Sequence, residues 1–152
     1  MSLELKSGPT SLERLQTAIE RMVQKHGFSR VDRETDAFVG ELTALLLTED
    51  PLRNPEVLDA CVILPEALKP LGERIVRRVA GPEVAPALLQ RYGVARPPAV
   101  VFLRQGEYVG TLQGIRDWRE YQDEVERLLA GPAQPKPIGI PVRAAASQGA
   151  CA

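Results

Sequence analysis

The seven residues Leu42–Thr48, LTALLLT, carry no charge and do not alternate apolar with polar side chains. A run this short suits a strand, and a strand apolar at nearly every position has to be covered on both faces. That requirement sets the class of fold: an α/β arrangement with a central sheet sandwiched between helices. A chain of 152 residues can meet it as one domain, burying roughly two thirds of the surface it exposes when unfolded.

The flanking segments supply the cover. A helix is predicted near residues 11–26, with Thr10 and Glu13 at capping-box spacing and Leu12, Leu15, Ile19, Met22 and Val23 on one stripe. Gly27 ends it. A strand over Phe28–Asp32 and a helical turn around Thr35–Val39 are expected next. Beyond the central strand come a helix within Leu58–Leu71, disturbed by Pro65 and Pro70, and a strand over Arg74–Ala80, whose Arg77 and Arg78 point to partial exposure. A helix over Glu83–Tyr92 is closed by Gly93. Ala99–Leu103 and Tyr108–Gln113 form a hairpin around Gln105–Gly106, with Tyr108, Gly110 and Leu112 on one strand face. Asp117 caps a last helix whose Trp118, Tyr121, Val125, Leu128 and Leu129 are assigned to the core. From Gly131 onward, four prolines, three glycines and no aromatic residue predict a disordered tail. The organisation is thus a packed N-terminal helix (1–27), a main domain (28–130) and a flexible tail (131–152). Helix-separated strands ending in a hairpin imply a mixed sheet.

Charge and composition exclude several functions. Nineteen Lys and Arg against twenty Asp and Glu give a net charge of −1, so nucleic acid is not an expected partner. No apolar run approaches the ~20 residues that span a bilayer, and the first residues lack the apolar stretch of a secretory signal. A cytoplasmic protein without membrane insertion is expected. Cys61 and Cys151 are far apart and His26 is the single histidine, so no disulfide framework, metal site, His-based triad or cofactor is expected. Among Ala60, Val62 and Ile63, Cys61 is read as a small hydrophobe, with a lone reactive thiol as the alternative.

The order of elements is that of thioredoxin, and YGVARPPAVVFLRQGEYVGTLQG (residues 92–114) resembles its C-terminal half, with Pro98 at the cis-proline position. A thioredoxin-like fold with an added N-terminal helix is therefore expected. Where thioredoxins carry Cys-x-x-Cys, this chain has Asp50-Pro51-Leu52-Arg53-Asn54-Pro55, which cannot exchange dithiols. TEDPLRNPEV, YGVARPPAVVF and GEYVGTLQGIRDW in that order resemble the redox-inactive hydrogenase expression and formation proteins called HyaE, HupG or HoxO. The resemblance falls on Asp50, Pro51, Arg53, Pro55, Glu56 and Val57, then on Tyr108, Gly110, Leu112, Gly114 and Ile115, followed by Trp118.

The resemblance implies a chaperone rather than an enzyme. It would bind the twin-arginine signal peptide of the [NiFe] hydrogenase small-subunit precursor and delay export until assembly. The alternative is a non-catalytic scaffold that docks on other hydrogenase maturation proteins. Two adjacent guanidinium groups followed by an apolar stretch call for carboxylates beside an apolar groove. Glu49 and Asp50, at the C-terminal end of the central strand, stand where open α/β sheets bind ligands, and Pro98 would border the same groove. The competing reading makes Glu49 and Asp50 solvated loop residues, with Asp50 starting a turn before Pro51. Arg53 and Glu56 either pair to fix the loop or contact the ligand.

Overall fold

Residues 8–114 and 117–130 are described by the computed structural model; the tail expected from Gly131 lies outside them. Leu42–Leu47 forms strand β2 in the middle of a five-stranded sheet ordered β1-β3-β2-β4-β5, with β1 at Phe28–Arg30, β3 at Val76–Ala80, β4 at Ala99–Arg104 and β5 at Glu107–Gln113. β3 runs parallel to both β1 and β2, whereas β4 is antiparallel to β2 and β5 antiparallel to β4. The helices are α1 (Ser11–His26), α2 (Glu56–Leu68), α3 (Ala85–Tyr92) and α4 (Trp118–Ala130), with a 3-10 segment at Lys69–Arg74. This is the thioredoxin-like order with an added N-terminal helix, and the Pro97–Pro98 bond leading into β4 is cis.

The two faces of β2 feed two separate cores. Ala44 and Leu46 join Leu15, Ile19 and Met22 of α1, Ala60 and Leu64 of α2, and Tyr121 and Val125 of α4. Leu45 and Leu47 join Phe38 and Leu88, Tyr92 of α3. Every residue from Ala44 to Leu47 is completely buried, as an uninterrupted apolar strand requires.

Local chemistry sets the ends of α1. Thr10 and Glu13 form both halves of the capping box, and Gly27 closes the helix at φ 77°, a conformation costly for a residue with Cβ. In the β4–β5 turn, Gln105 and Gly106 both have positive φ, matching the twist of the strands they join.

Several local expectations are corrected. Leu12 and Val23 are 44% and 36% exposed, so the buried stripe of α1 is narrowed to Leu15, Ile19 and Met22. No helix forms at Thr35–Val39; the Asp36 carboxylate accepts from the amides of Asp32 and Arg33, and these local bonds turn the chain instead. Phe38 from this crossover packs on the second core. Tyr108 and Leu112 do not share a face. A register shift between Phe102 and Leu103 puts Leu112 in the first core and lets Tyr108 stack on Tyr92, ring centroids 6.2 Å apart, against the second. Trp118 is half exposed rather than core. Tyr121 and Val125 of the same helix are buried as expected, and the Asp117 carboxylate accepts from the amides of Arg119 and Glu120. Ile115, part of the quoted motif, lies outside the described residues.

Because α1 shares the first core, Leu15→Ala should cost about 2–5 kcal/mol in denaturant unfolding, whereas Leu12→Ala, on the exposed side, should stay within about 0.5 kcal/mol.

Candidate functional site

The loop after β2 begins at Thr48, whose amide and hydroxyl both donate to the carbonyl of Ala80 on β3 (3.2 and 2.7 Å). Glu49 and Asp50 follow as half-buried residues, Pro51 is buried, and Leu52 at the tip is 80% exposed. Asp50 organises what comes next. Its Oδ1 accepts from the Leu52 amide at 2.9 Å and from the hydroxyl of Ser11, the first residue of α1. Its carbonyl accepts from the amides of Arg53 and Asn54 at 2.9 and 3.3 Å. The Ser11 hydroxyl, then the Leu52 amide and the nearby Arg53 charge, hold the Asp50 carboxyl below its ordinary 3.8 against partial desolvation.

Asn54 performs two tasks. Its Oδ1 accepts from the Glu56 amide at 3.1 Å, capping α2, while its Nδ2 donates to the Pro97 carbonyl at 2.9 Å. The second bond ties the β2–α2 loop to the loop carrying cis-Pro98. From there the frame continues: the Gly114 amide donates to the Pro98 carbonyl at 2.9 Å, and the Tyr121 hydroxyl donates to the Gly114 carbonyl at 3.0 Å. Gln113 Nε2 reaches the carbonyls of Arg96 and Pro98. Glu49, Asp50 and Pro98 are thereby gathered at the end of the sheet where β2 finishes.

The remaining candidates sit differently. Arg53 and Glu56 are both exposed, and no ion pair joins them among the described residues. Sequence reasoning missed Ser11, Asn54 and Gln113. Asn54 standing two residues before Glu56 was a usable signal for a helix cap, but its reach to Pro97 was not. The cis-proline loop also differs from an open strand edge. Pro97 and Pro98 have no amide hydrogen to offer an added strand, and the Pro97 carbonyl is already engaged by Asn54.

No cysteine lies in the loop. Cys61, on α2, is 4% exposed and burial pushes its thiol up to about 12 from an ordinary 9.0, so it is protonated at neutral pH. Among the described residues, no three His, Cys, Asp or Glu side chains gather as a metal site, and no helix is long and apolar enough to cross a membrane.

The family model for the hydrogenase-1 expression protein HyaE matches residues 18–121, well over half of the chain. The chain belongs to the HyaE family. Among its relatives, the hydrogenase expression/formation protein HoxO of Cupriavidus necator is 42% identical over 139 residues, covering 88% of this chain and 86% of HoxO. HupG of Bradyrhizobium diazoefficiens is 36% identical over 115 residues, covering 71% and 78%. A crystal structure of a putative HupG from Rhodopseudomonas palustris aligns with a TM-score of 0.46 at 29% identity over 67% of this chain and 95% of that one. As a HyaE-family member with relatives of this kind, the protein has a role in hydrogenase expression and formation, which points to hydrogenase-related partners.

Two predictions follow from this geometry. The Asp50 carboxyl ionises lower in the folded than in the unfolded chain, so its contribution is complete above 3.8 and is lost as pH falls through the folded value. The stability difference between wild type and Asp50→Asn should therefore shrink as pH drops from about 5 to below about 3, followed by denaturant melts. Iodoacetamide at about pH 8 should leave Cys61 unmodified in the native protein and alkylate it after unfolding, read by peptide mass analysis.

Proposed function

We propose that the protein is a cytoplasmic, non-catalytic chaperone that binds the twin-arginine signal peptide of the [NiFe] hydrogenase small-subunit precursor and delays its export until assembly. The observation that carries this reading is the loop after β2. Asn54 braces it against the cis-proline loop, and it presents Glu49 and Asp50 next to Leu52, a large apolar side chain left 80% exposed. Carboxylates held in place lose less entropy on pairing with guanidinium groups, and an adjacent apolar tip suits the stretch that follows them. Glu49 and the second oxygen of Asp50 are the acceptors, with Arg53, Glu56 and Pro98 bordering the contact. Membership of the HyaE family supports a maturation role, and a position holding no sulfur where thioredoxins keep their redox pair supports binding without turnover.

A second reading has its own support. Oδ1 of Asp50 is committed to Ser11 and Leu52, and the Pro97–Pro98 loop offers no amide hydrogen. Both features suit a scaffold that docks on another folded hydrogenase maturation protein rather than clasping an extended peptide.

Titration calorimetry with a hydrogenase small-subunit signal peptide separates the two. Replacing both arginines by glutamine should weaken binding at least about tenfold, or about 1.4 kcal/mol. Glu49→Gln should weaken the intact peptide and leave the glutamine peptide unchanged. No heat from either peptide, with hydrogenase maturation proteins still co-purifying, overturns the signal-peptide reading in favour of the scaffold.

A further inference from the structure

The outer face of α2 is chemically two-part. Glu56, Asp59, Val62, Ile63 and Glu66 all fall within one third of its circumference at 100° per residue, opposite the buried Val57, Cys61, Leu64 and Leu68. Val62 is 61% exposed, and Trp118 at the start of the neighbouring α4 is 49% exposed, large apolar surface for a chain that buries nearly all its other aromatics. Between them lies a depression of about 370 Å³ lined by Val62, Ile63, Glu66 and Trp118. Further along the same α2–α4 seam, a second of about 410 Å³ is lined by residues that include Ala67, Leu71, Gln122 and Val125.

Glu66 pairs with Lys69 at 3.2 Å, but Glu56 and Asp59 have no ion-pair partner among the described residues. From Glu56 to Glu66 the helix advances about 15 Å. The face therefore offers unpaired anionic charge at the end nearest the β2–α2 loop and apolar surface further down.

We infer that the α2–α4 seam seats the apolar run of a segment whose basic end is held by Glu49 and Asp50, with Glu56 and Asp59 flanking the path from that end to the seam. The inference rests on the proposed signal-peptide reading and assigns the occupant by charge complementarity: adjacent cations, then a run of apolar side chains. The anions alone would attract any basic segment; the apolar seam behind them selects one that continues as hydrophobic chain.

Trp118 is the single tryptophan of the protein, so its emission reports on the seam directly. A tryptophan-free small-subunit signal peptide should shift that emission to the blue and shield it from acrylamide, saturating at the Kd found by calorimetry. Val62→Asp, on the solvent side of α2, should weaken binding at least about tenfold. Val39→Asp, at a still more exposed apolar position on the crossover loop, should change it less than about twofold. Heat of binding without any change at Trp118, or a Val62→Asp variant that folds and binds as wild type, overturns the seam while leaving signal-peptide recognition standing. Absence of heat with the wild-type protein removes both. Should Val62→Asp fail to fold, the Trp118 emission decides alone.

Discussion

The rest of the structure depends on burying β2 from both sides. Leu45, Leu46 and Leu47 are completely covered, each worth roughly 1.5–3 kcal/mol relative to exposure. Because neighbours on a strand face opposite ways, satisfying them takes two independent layers. α1, α2 and α4 form one layer, and α3 with the Phe38 crossover forms the other. The crossover shows that cover, not helix, is what the second face needs: a turn fixed by Asp36 and one phenylalanine fill the place. The same strand also positions the candidate site, since its C-terminal end, pinned through Thr48 to β3, launches the loop that carries Glu49 and Asp50.

That loop is a rigid polar frame where a thioredoxin-like fold can otherwise hold a redox pair. The bonds from Asp50 to Ser11 and from Asn54 to Pro97 join the added N-terminal helix, the loop and the cis-proline turn into one unit. These bonds hold the loop's carboxylates in place, and with Cys61 buried and protonated on the inner side of α2 the loop has no thiolate beside it. The outer side of α2 carries the opposite character, exposed carboxylates leading to exposed Val62 and the Trp118 ring. One short helix thus separates an inert core thiol from a surface suited to a basic and apolar partner.

Much of the fold was legible residue by residue. The capping box at Thr10 and Glu13, the stop at Gly27, the hairpin at Gln105–Gly106 and the cis bond at Pro98 are governed by neighbours a few positions apart, so their signals lie within short windows. Failures came where periodicity was taken for burial. Trp118 has the helical spacing of a core residue, yet it stands on the first turn of α4, at the rim of the α2–α4 seam. Tyr108 and Leu112 have the spacing of one strand face, and a register shift sends them to opposite cores. Of the candidate site, the acidic pair and Pro98 were named from the sequence, while Ser11, Asn54 and Gln113, whose hydrogen bonds hold this loop and the cis-proline turn, were not.

The sequence by itself determined that a two-sided sheet must form, where α1 begins and ends and where the β4–β5 hairpin turns, and that no dithiol chemistry can occur at the β2–α2 loop. Those outcomes depend on hydrophobic period, caps, proline geometry and the absence of a sulfur atom, all of which are properties of a residue and its near neighbours. Only the tertiary structure decided that Ser11 reaches Asp50 across 39 positions, that Asn54 reaches Pro97 across 43, and that Val62 and Trp118 flank one seam. Such contacts are set by how the strands are ordered and how helices lean on them. The energy of each is small beside the burial of β2, so packing of the central strand chooses the arrangement and the polar contacts follow it.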